Sequence, residues 1–166
     1  MIDLAERGPT RDLFKRKMSP SFASIMPQAV ACWCEELGHD VRYLCYSGGE
    51  DLTAWADETD LLFVGGFTLP AYTTSALSHI FRARGAVTAL GGPHARCYPE
   101  DAARHFDYVL GFTGRDQIAE IANEAAPHRP LGRWLGAHVQ PRGIPSLRQR
   151  RKVVAPNLAK AGPIKI

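Results

Sequence analysis

The sequence has no long apolar run and few cysteines, and both features argue against a membrane-spanning or secreted protein. No apolar run approaches the roughly 18 residues that a membrane-spanning helix needs. The first eight residues include acids and have no apolar core of the kind that signal peptides carry. Four cysteines, two of them in the pair Cys32-x-Cys34, do not make the disulfide framework of a secreted protein. We therefore expect a cytoplasmic protein that makes no membrane contact.

Motifs that bind phosphate, iron–sulfur clusters or metal ions are also missing. No Gly-x-Gly-x-x-Gly or Gly-x4-Gly-Lys-Ser/Thr follows a predicted strand, so nucleotide binding lacks its usual support. No Cys-x3-Cys-x2-Cys spacing is present, and the thiols of Cys32 and Cys34 would point about 200° apart on a helix. A phosphorelay receiver needs paired acids near the end of the first strand, where Asp3 stands alone. We expect no metal site formed by this chain's own side chains.

Acidic residues are absent from the last part of the chain, which carries nine Lys or Arg between Arg129 and its end. This part is also rich in Pro and Gly, which disfavours long regular elements. We therefore predict an α/β domain over residues 1–126 and a linker or tail over residues 127–166. A basic arm can bind nucleic acid, but the aromatic residue Trp134 stands alone in this one. We expect a linker into another domain rather than a nucleic-acid site.

The whole chain has an ordinary hydrophobic content of 45% and charged content of 22%. Strand and helix patterns alternate through residues 1–126. Continuous apolar runs followed by glycine are typical of parallel strands buried on both faces. The alternation predicts a doubly wound α/β fold, flavodoxin-like or Rossmann-like, with a five-stranded parallel sheet in the order 2-1-3-4-5. The predicted strands are Met1–Leu4, Asp40–Tyr46, Leu61–Val64, Ala86–Leu90 and Tyr108–Leu110.

Glycines follow three of the predicted strands, at Gly65-Gly66, Gly91-Gly92 and Gly111. Ligands of such sheets bind beyond the carboxyl ends of the strands. Glycine lets another group approach the backbone closely, so the pattern is compatible with a broad flat ligand. The alternative is plain turn chemistry, because loops after parallel strands often need glycine. His94 follows the second pair and is either a hydrogen-bonding residue or a metal ligand.

The segment Leu90-Gly91-Gly92-Pro93-His94-Ala95, followed by Pro99-Glu100 and Phe106-Asp107-Tyr108-Val109-Leu110-Gly111, resembles the N-terminal cobalamin-binding domain of B12-dependent radical SAM proteins. The stretch Asp60–Thr68 and the triplet Met18-Ser19-Pro20 fit the same pattern. The resemblance covers roughly residues 1–125. The tail that ends in Ala161–Ile166 resembles the segment that leads into a radical SAM barrel.

The resemblance implies that a corrin ring lies over the strand ends, against the glycine loops. Related cobalamin domains carry Asp-x-His-x-x-Gly, whose histidine coordinates cobalt, and here Ala5 stands at the histidine position between Asp3 and Gly8. The implied mode is base-off cobalamin without a protein imidazole. The residues that the resemblance places against the cofactor are Asp3, Ala5, Gly8, Gly65, Gly66, Phe67, Thr68, Gly91, Gly92, Pro93, His94, Gly111 and Thr113.

The three-cysteine cluster motif of the family is absent, so the 4Fe-4S cluster and S-adenosylmethionine would belong to a radical SAM catalytic domain in cis or in trans. The chain alone is then expected to bind cobalamin and support methyl transfer without catalysing it. The family often has Gly-Glu-Gly-Glu where this chain has Gly111-Phe112-Thr113-Gly114. A cofactor-free interaction domain and an unrelated small-molecule binder of flavodoxin-like shape are the alternatives.

Overall fold

Strands and helices alternate along the chain, because apolar runs of strand length are separated by glycines and by helices with one apolar side. The structure is a computed structural model that describes residues 2–4, 25–46, 51–66, 68, 71–124 and 132–137. Its elements are β1 (Ile2–Leu4), α1 (Ile25–Glu36), β2 (Leu44–Tyr46), α2 (Thr53–Asp57), β3 (Leu61–Gly65), α3 (Ala71–Ala83), β4 (Val87–Gly91), α4 (Pro93–Cys97), α5 (Pro99–Ala102), β5 (Tyr108–Leu110), α6 (Arg115–Glu124) and β6 (Arg133–Leu135).

The strands form one sheet in the order β2-β1-β3-β4-β5-β6, and each neighbouring pair is parallel. The predicted α/β class with a parallel sheet is confirmed. The predicted count of five strands is wrong, because Arg133–Leu135 adds β6 beyond the predicted domain boundary at residue 126. Glycines with φ of 79° and 80°, Gly132 and Gly136, bracket this short strand. The Pro, Gly and basic residues around it conceal its signal in the sequence.

Apolar side chains alternate across the central strands and build a core on each face of the sheet. One core packs β3, β4 and β5 against α2, α3, α4 and α5; among its residues are Leu62, Val64, Leu77, Phe81, Leu90, Ala95, Ala102 and Val109. The other packs the same strands against α1 and α6; among its residues are Val30, Cys34, Phe63, Val87, Ala89, Tyr108, Leu110, Ile118 and Ile121. Helices therefore cover both faces, which suits strands that are apolar on both sides.

Local signals explain where several elements begin and end. Gly38, with φ of 91°, ends α1, and the N–H of His39 reaches back to the carbonyl of Cys34 at 3.0 Å. Residues 93–97 form the short helix α4 directly after β4. Pro93 is its first residue, where a missing N–H and a fixed φ favour a helix start.

A buried polar network joins β4, β5 and α3. Asp107 is fully buried, and its Oδ2 accepts hydrogen bonds from the backbone N–H of Thr88 at 2.9 Å and from its hydroxyl at 3.0 Å. The guanidinium of Arg82 lies 3.3 Å from the other carboxylate oxygen. Ser78 lies 3.0 Å from the Thr88 hydroxyl. The network fixes the start of β5 against β4, because a buried carboxylate needs these donors.

Replacing Asp107 with Ala should lower the free energy of unfolding by about 2–4 kcal/mol, because the Thr88 N–H and the Arg82 cation lose their buried acceptor. The matched control is Asp57→Ala, which removes an exposed ion pair with Arg84 and should cost less than about 1 kcal/mol. Urea unfolding of both variants measures the difference. Equal losses would show that the Asp107 network does not hold the two strands together.

Candidate functional site

Three neighbouring strands reach the carboxyl edge of the sheet within one residue of one another. Asp3 of β1 pairs with Gly65 of β3, and Gly65 pairs with Gly91 of β4. Gly65 and Gly91 are the last residues of their strands, and both are partly exposed. Because neither has a side chain, the edge presents backbone over two adjacent strands. A flat ligand could approach it closely.

The loops after β3 and β4 touch each other directly through Gly66 and Gly92. The N–H of Gly66 donates to the carbonyl of Gly91 at 3.0 Å, and the carbonyl of Gly66 accepts from the N–H of His94 at 3.3 Å. A Cβ on Gly92 would lie 2.6 Å from that Gly66 carbonyl oxygen. Gly92 also has a φ of 101°, which L side chains rarely adopt. Gly92 is therefore required by the protein's own packing.

His94 is buried in the first turn of α4, below this loop contact. Its Nε2 lies 3.3 Å from a carboxylate oxygen of Asp101, and its ring centroid lies 5.6 Å from that of Tyr98. Its Nδ1 is buried and has no hydrogen-bond partner among the described residues. The side chain is only 6% exposed, so its ring is held inside the domain rather than presented at the edge. This arrangement favours the hydrogen-bonding interpretation of His94 over the metal-ligand one.

Backbone from β6 and the residues after it covers the glycine that follows β5. A Cβ on Gly111 would lie 2.5 Å from the carbonyl oxygen of Ala137. The N–H of Phe112 donates to the same carbonyl at 2.7 Å, and Phe112 and Ala137 form an antiparallel bridge. Thr113 is partly buried beside Gly136. At this third loop, the chain's own backbone occupies the space that Gly111 leaves open.

The remaining predicted site residues fall into two groups. Thr68 is exposed in the turn before α3, where its carbonyl accepts the N–H of Ala71 at 3.2 Å. Pro93 begins α4 beneath the edge. Ala5, Gly8 and Phe67 lie outside the described residues. The structure therefore brings Asp3, Gly65, Gly66, Gly91 and Gly92 together at one edge.

Sequence reasoning did not anticipate a cavity of about 620 Å³ at the opposite, amino edge of the sheet. The first residues of β3 line it, together with α1 and the segment that leads into β2.

Cysteines do not assemble into a metal site in the part of the chain that the structure describes. Cys32 and Cys34 are buried in α1, and Cys97 is exposed. Among the described residues, no group of three or more His, Cys, Asp or Glu side chains is arranged to hold a metal ion. Burial raises the pKa of the Cys34 thiol to about 11, so this residue is a neutral core side chain at physiological pH.

The chain matches no protein-family model, no curated protein and no solved structure. Within the described ranges, no helix combines the length and the apolar character needed to cross a membrane.

The contact between the two glycine loops can be tested with two neighbouring substitutions. Gly92→Ala should cost about 3 kcal/mol or more, because a Cβ there meets the Gly66 backbone and the positive φ is strained. Gly91→Ala is the control, since its Cβ would meet only the Leu110 side chain at an ordinary 3.7 Å; it should cost less than about 1 kcal/mol. Thermal and urea unfolding compare the two. Similar costs would contradict the close approach of the loops.

The two kinds of cysteine should differ in reactivity. At pH 8 an alkylating reagent should modify exposed Cys97 at least about tenfold faster than Cys34, because the Cys34 thiol is buried and almost wholly protonated. Peptide mass spectrometry after timed labelling measures both rates. Labelling in denaturant, where the rates should converge, is the control. Rapid labelling of Cys34 in the folded protein would contradict its burial.

Proposed function

We propose that this chain is a cobalamin-binding domain that works with a radical SAM catalytic domain. The observation that carries the proposal is the row of paired residues Asp3, Gly65 and Gly91, where β3 and β4 end level and present no side chain. Ligands of parallel α/β sheets bind beyond these ends. In this proposal β1 to β5 form the doubly wound, flavodoxin-like core in the order 2-1-3-4-5, and β6 is an added edge strand.

The bare backbone at the carboxyl edge of the sheet fits a corrin ring. Gly65 and Gly91 are partly exposed and would let a broad ring lie against the backbone. Gly66, Gly92 and Pro93 would support that surface from behind, because they hold the loops together and begin α4. Thr68 is an exposed hydroxyl near the same edge. These residues would bind and orient the ring rather than react with it.

The chemistry of His94 suits the base-off mode without a protein imidazole. Its Nε2 faces Asp101 and its side chain is buried, so it offers no exposed nitrogen to a cobalt ion over the edge. Bound cobalamin would supply a methyl group, and the radical SAM domain, in cis or in trans, would carry the 4Fe-4S cluster and S-adenosylmethionine. The proposal places the pair in the cytoplasm.

A cofactor-free interaction domain is the second candidate, and a specific observation favours it. Gly92 and Gly111 are two of the glycines expected to approach the corrin. At both, the chain's own backbone occupies the space that the missing side chain leaves. These two glycines are then explained by internal packing alone.

Visible absorbance separates the two candidates. The chain is mixed with hydroxocobalamin, desalted, and scanned for retained corrin bands. Gly91→Phe should weaken cobalamin binding by about tenfold or more, because the new ring would project beside Leu110 at the carboxyl edge, where the ligand would lie. Ala83→Phe adds the same side chain at an exposed position at the end of α3 and should leave binding unchanged.

Circular dichroism of both variants checks that the fold is retained. Colourless protein after desalting from excess cobalamin would overturn the cobalamin proposal and favour the interaction domain. Equal retention by Gly91→Phe and the unsubstituted chain would place any bound corrin elsewhere.

A further inference from the structure

Two histidine rings from separate elements meet on the surface near the amino edge of the sheet. His79 lies in α3, and His105 lies in the turn between α5 and β5. The Nε2 of His79 is 3.0 Å from the Nδ1 of His105, and the two ring centroids are 5.3 Å apart. Because 26 residues separate them in the sequence, the fold rather than local spacing creates this histidine pair.

Buried hydrogen bonds fix the backbone that carries the two rings. Ser78, the neighbour of His79, is fully buried, and its hydroxyl donates to the carbonyl of His105 at 2.5 Å. Two residues beyond His105, the carboxylate of Asp107 is held by the N–H and the hydroxyl of Thr88. Both rings therefore extend from a rigid backbone, as a precise pair of ligands requires.

The distance between the facing nitrogens suits a shared metal ion. Imidazole is the commonest metal ligand among side chains. Two nitrogens that each bind one ion at ~2.1 Å stand ~3.0 Å apart at a right angle and ~3.4 Å apart at the tetrahedral angle. The 3.0 Å between His79 and His105 matches the right angle. A right-angled pair of nitrogens is typical of the tetragonal geometry that Cu²⁺ and Ni²⁺ prefer.

In the metal-free protein, the same separation is that of a hydrogen bond between the rings. One ring then donates an N–H and the other accepts it. When an ion binds, the donor ring adopts its other tautomer and both rings turn slightly, so that two lone pairs meet at one point. His79 is exposed and His105 is partly exposed. Water can therefore accept the relocated N–H, and no polar group loses its partner.

The protein would supply two ligands, and water would supply the others. Among the described residues, no third His, Cys, Asp or Glu completes a group with the pair. Imidazole suits nickel, copper and zinc, whereas Mg²⁺ and Ca²⁺ take oxygen ligands. Two neutral ligands add no negative charge, and exposed Arg104 adds a positive one beside His105. We therefore expect moderate affinity, with a Kd of about 10 µM for Ni²⁺.

We propose that His79 and His105 form a binding site for a divalent first-row transition-metal ion of the Ni²⁺ or Cu²⁺ class. The ion would join α3 to the turn ahead of β5, where one hydrogen bond between the rings joins them in the metal-free protein. Water would occupy the remaining coordination positions. The site lies toward the opposite edge of the sheet from Gly65 and Gly91, which end their strands at the carboxyl edge, so it is independent of the proposed cofactor.

The test titrates Ni²⁺ into the full 166-residue chain by calorimetry, beside His79→Ala, His105→Ala and the control His39→Ala. Each of the first two substitutions should weaken Ni²⁺ binding at least about tenfold, because one of two protein ligands is lost. His39 is an exposed histidine outside the pair, so its loss should leave this site unchanged. The unsubstituted chain should melt about 5–10 °C higher in about 1 mM Ni²⁺ than in EDTA. Mg²⁺ should give no such shift.

A further variant, His79→Gln, separates metal binding from the hydrogen bond between the rings. Its amide can still bond to His105 but is a poor ligand for these ions. In EDTA this variant should melt close to the unsubstituted chain, and Ni²⁺ should no longer raise its melting temperature. Circular dichroism checks that each variant keeps the fold.

Three results would overturn the proposal. The first is equal Ni²⁺ affinity in the unsubstituted chain, His79→Ala and His105→Ala, which would show that any bound ion lies elsewhere. The second is a lower melting temperature of both Ala variants in EDTA, with no effect of Ni²⁺ on any chain, because the pair would then be a hydrogen bond alone. The third is an equal loss of binding in His39→Ala. Cobalamin is absent from every sample, so these outcomes are independent of the proposed function.

Discussion

The pairing of β3 with β4 is the interaction on which the rest of the structure depends. The two strands pair over five residues and contribute side chains to both hydrophobic cores. Their carboxyl ends continue into the contact between Gly66 and Gly92, where two backbones approach more closely than any side chain would allow. Since α4 begins directly after Gly92, this contact also sets where that helix begins. The Asp107 network then attaches β5 to the same pair.

The close packing of the loops gives the glycines two different roles. Gly92 and Gly111 serve the chain's own close approaches, so their presence would be required with or without a ligand. Gly65 and Gly91 differ, because they end their strands at a partly exposed edge. Gly91 has only ordinary contact in the direction of a side chain. The glycine motif thus contains two kinds of residue, those that build the loops and those that leave the edge without side chains. Only the second kind supports ligand binding.

The α/β class and its parallel sheet were predictable from the sequence, because strands such as Leu61–Gly65 and Tyr108–Leu110 are continuous apolar runs whose burial on both faces requires helices around them. β6 was not predictable by the same means, since Arg133-Trp134-Leu135 is short, carries a charge and stands among prolines and glycines. For the candidate site, only its location at the carboxyl edge of the sheet was predictable. Which glycines face outward depends on contacts between loops, such as that of Gly111 with Ala137, that sequence spacing does not encode.

β1 joins the proposed cofactor edge to the rest of the sheet. Its Asp3 pairs with Gly65 on one side and with Cys45 on the other. A strand of three residues has few pairing bonds to hold it, and short strands gain stability chiefly from their neighbours. By linkage, a ligand that binds this edge and prefers the ordered strand must in turn stabilise the pairing of β1 with β2 and β3.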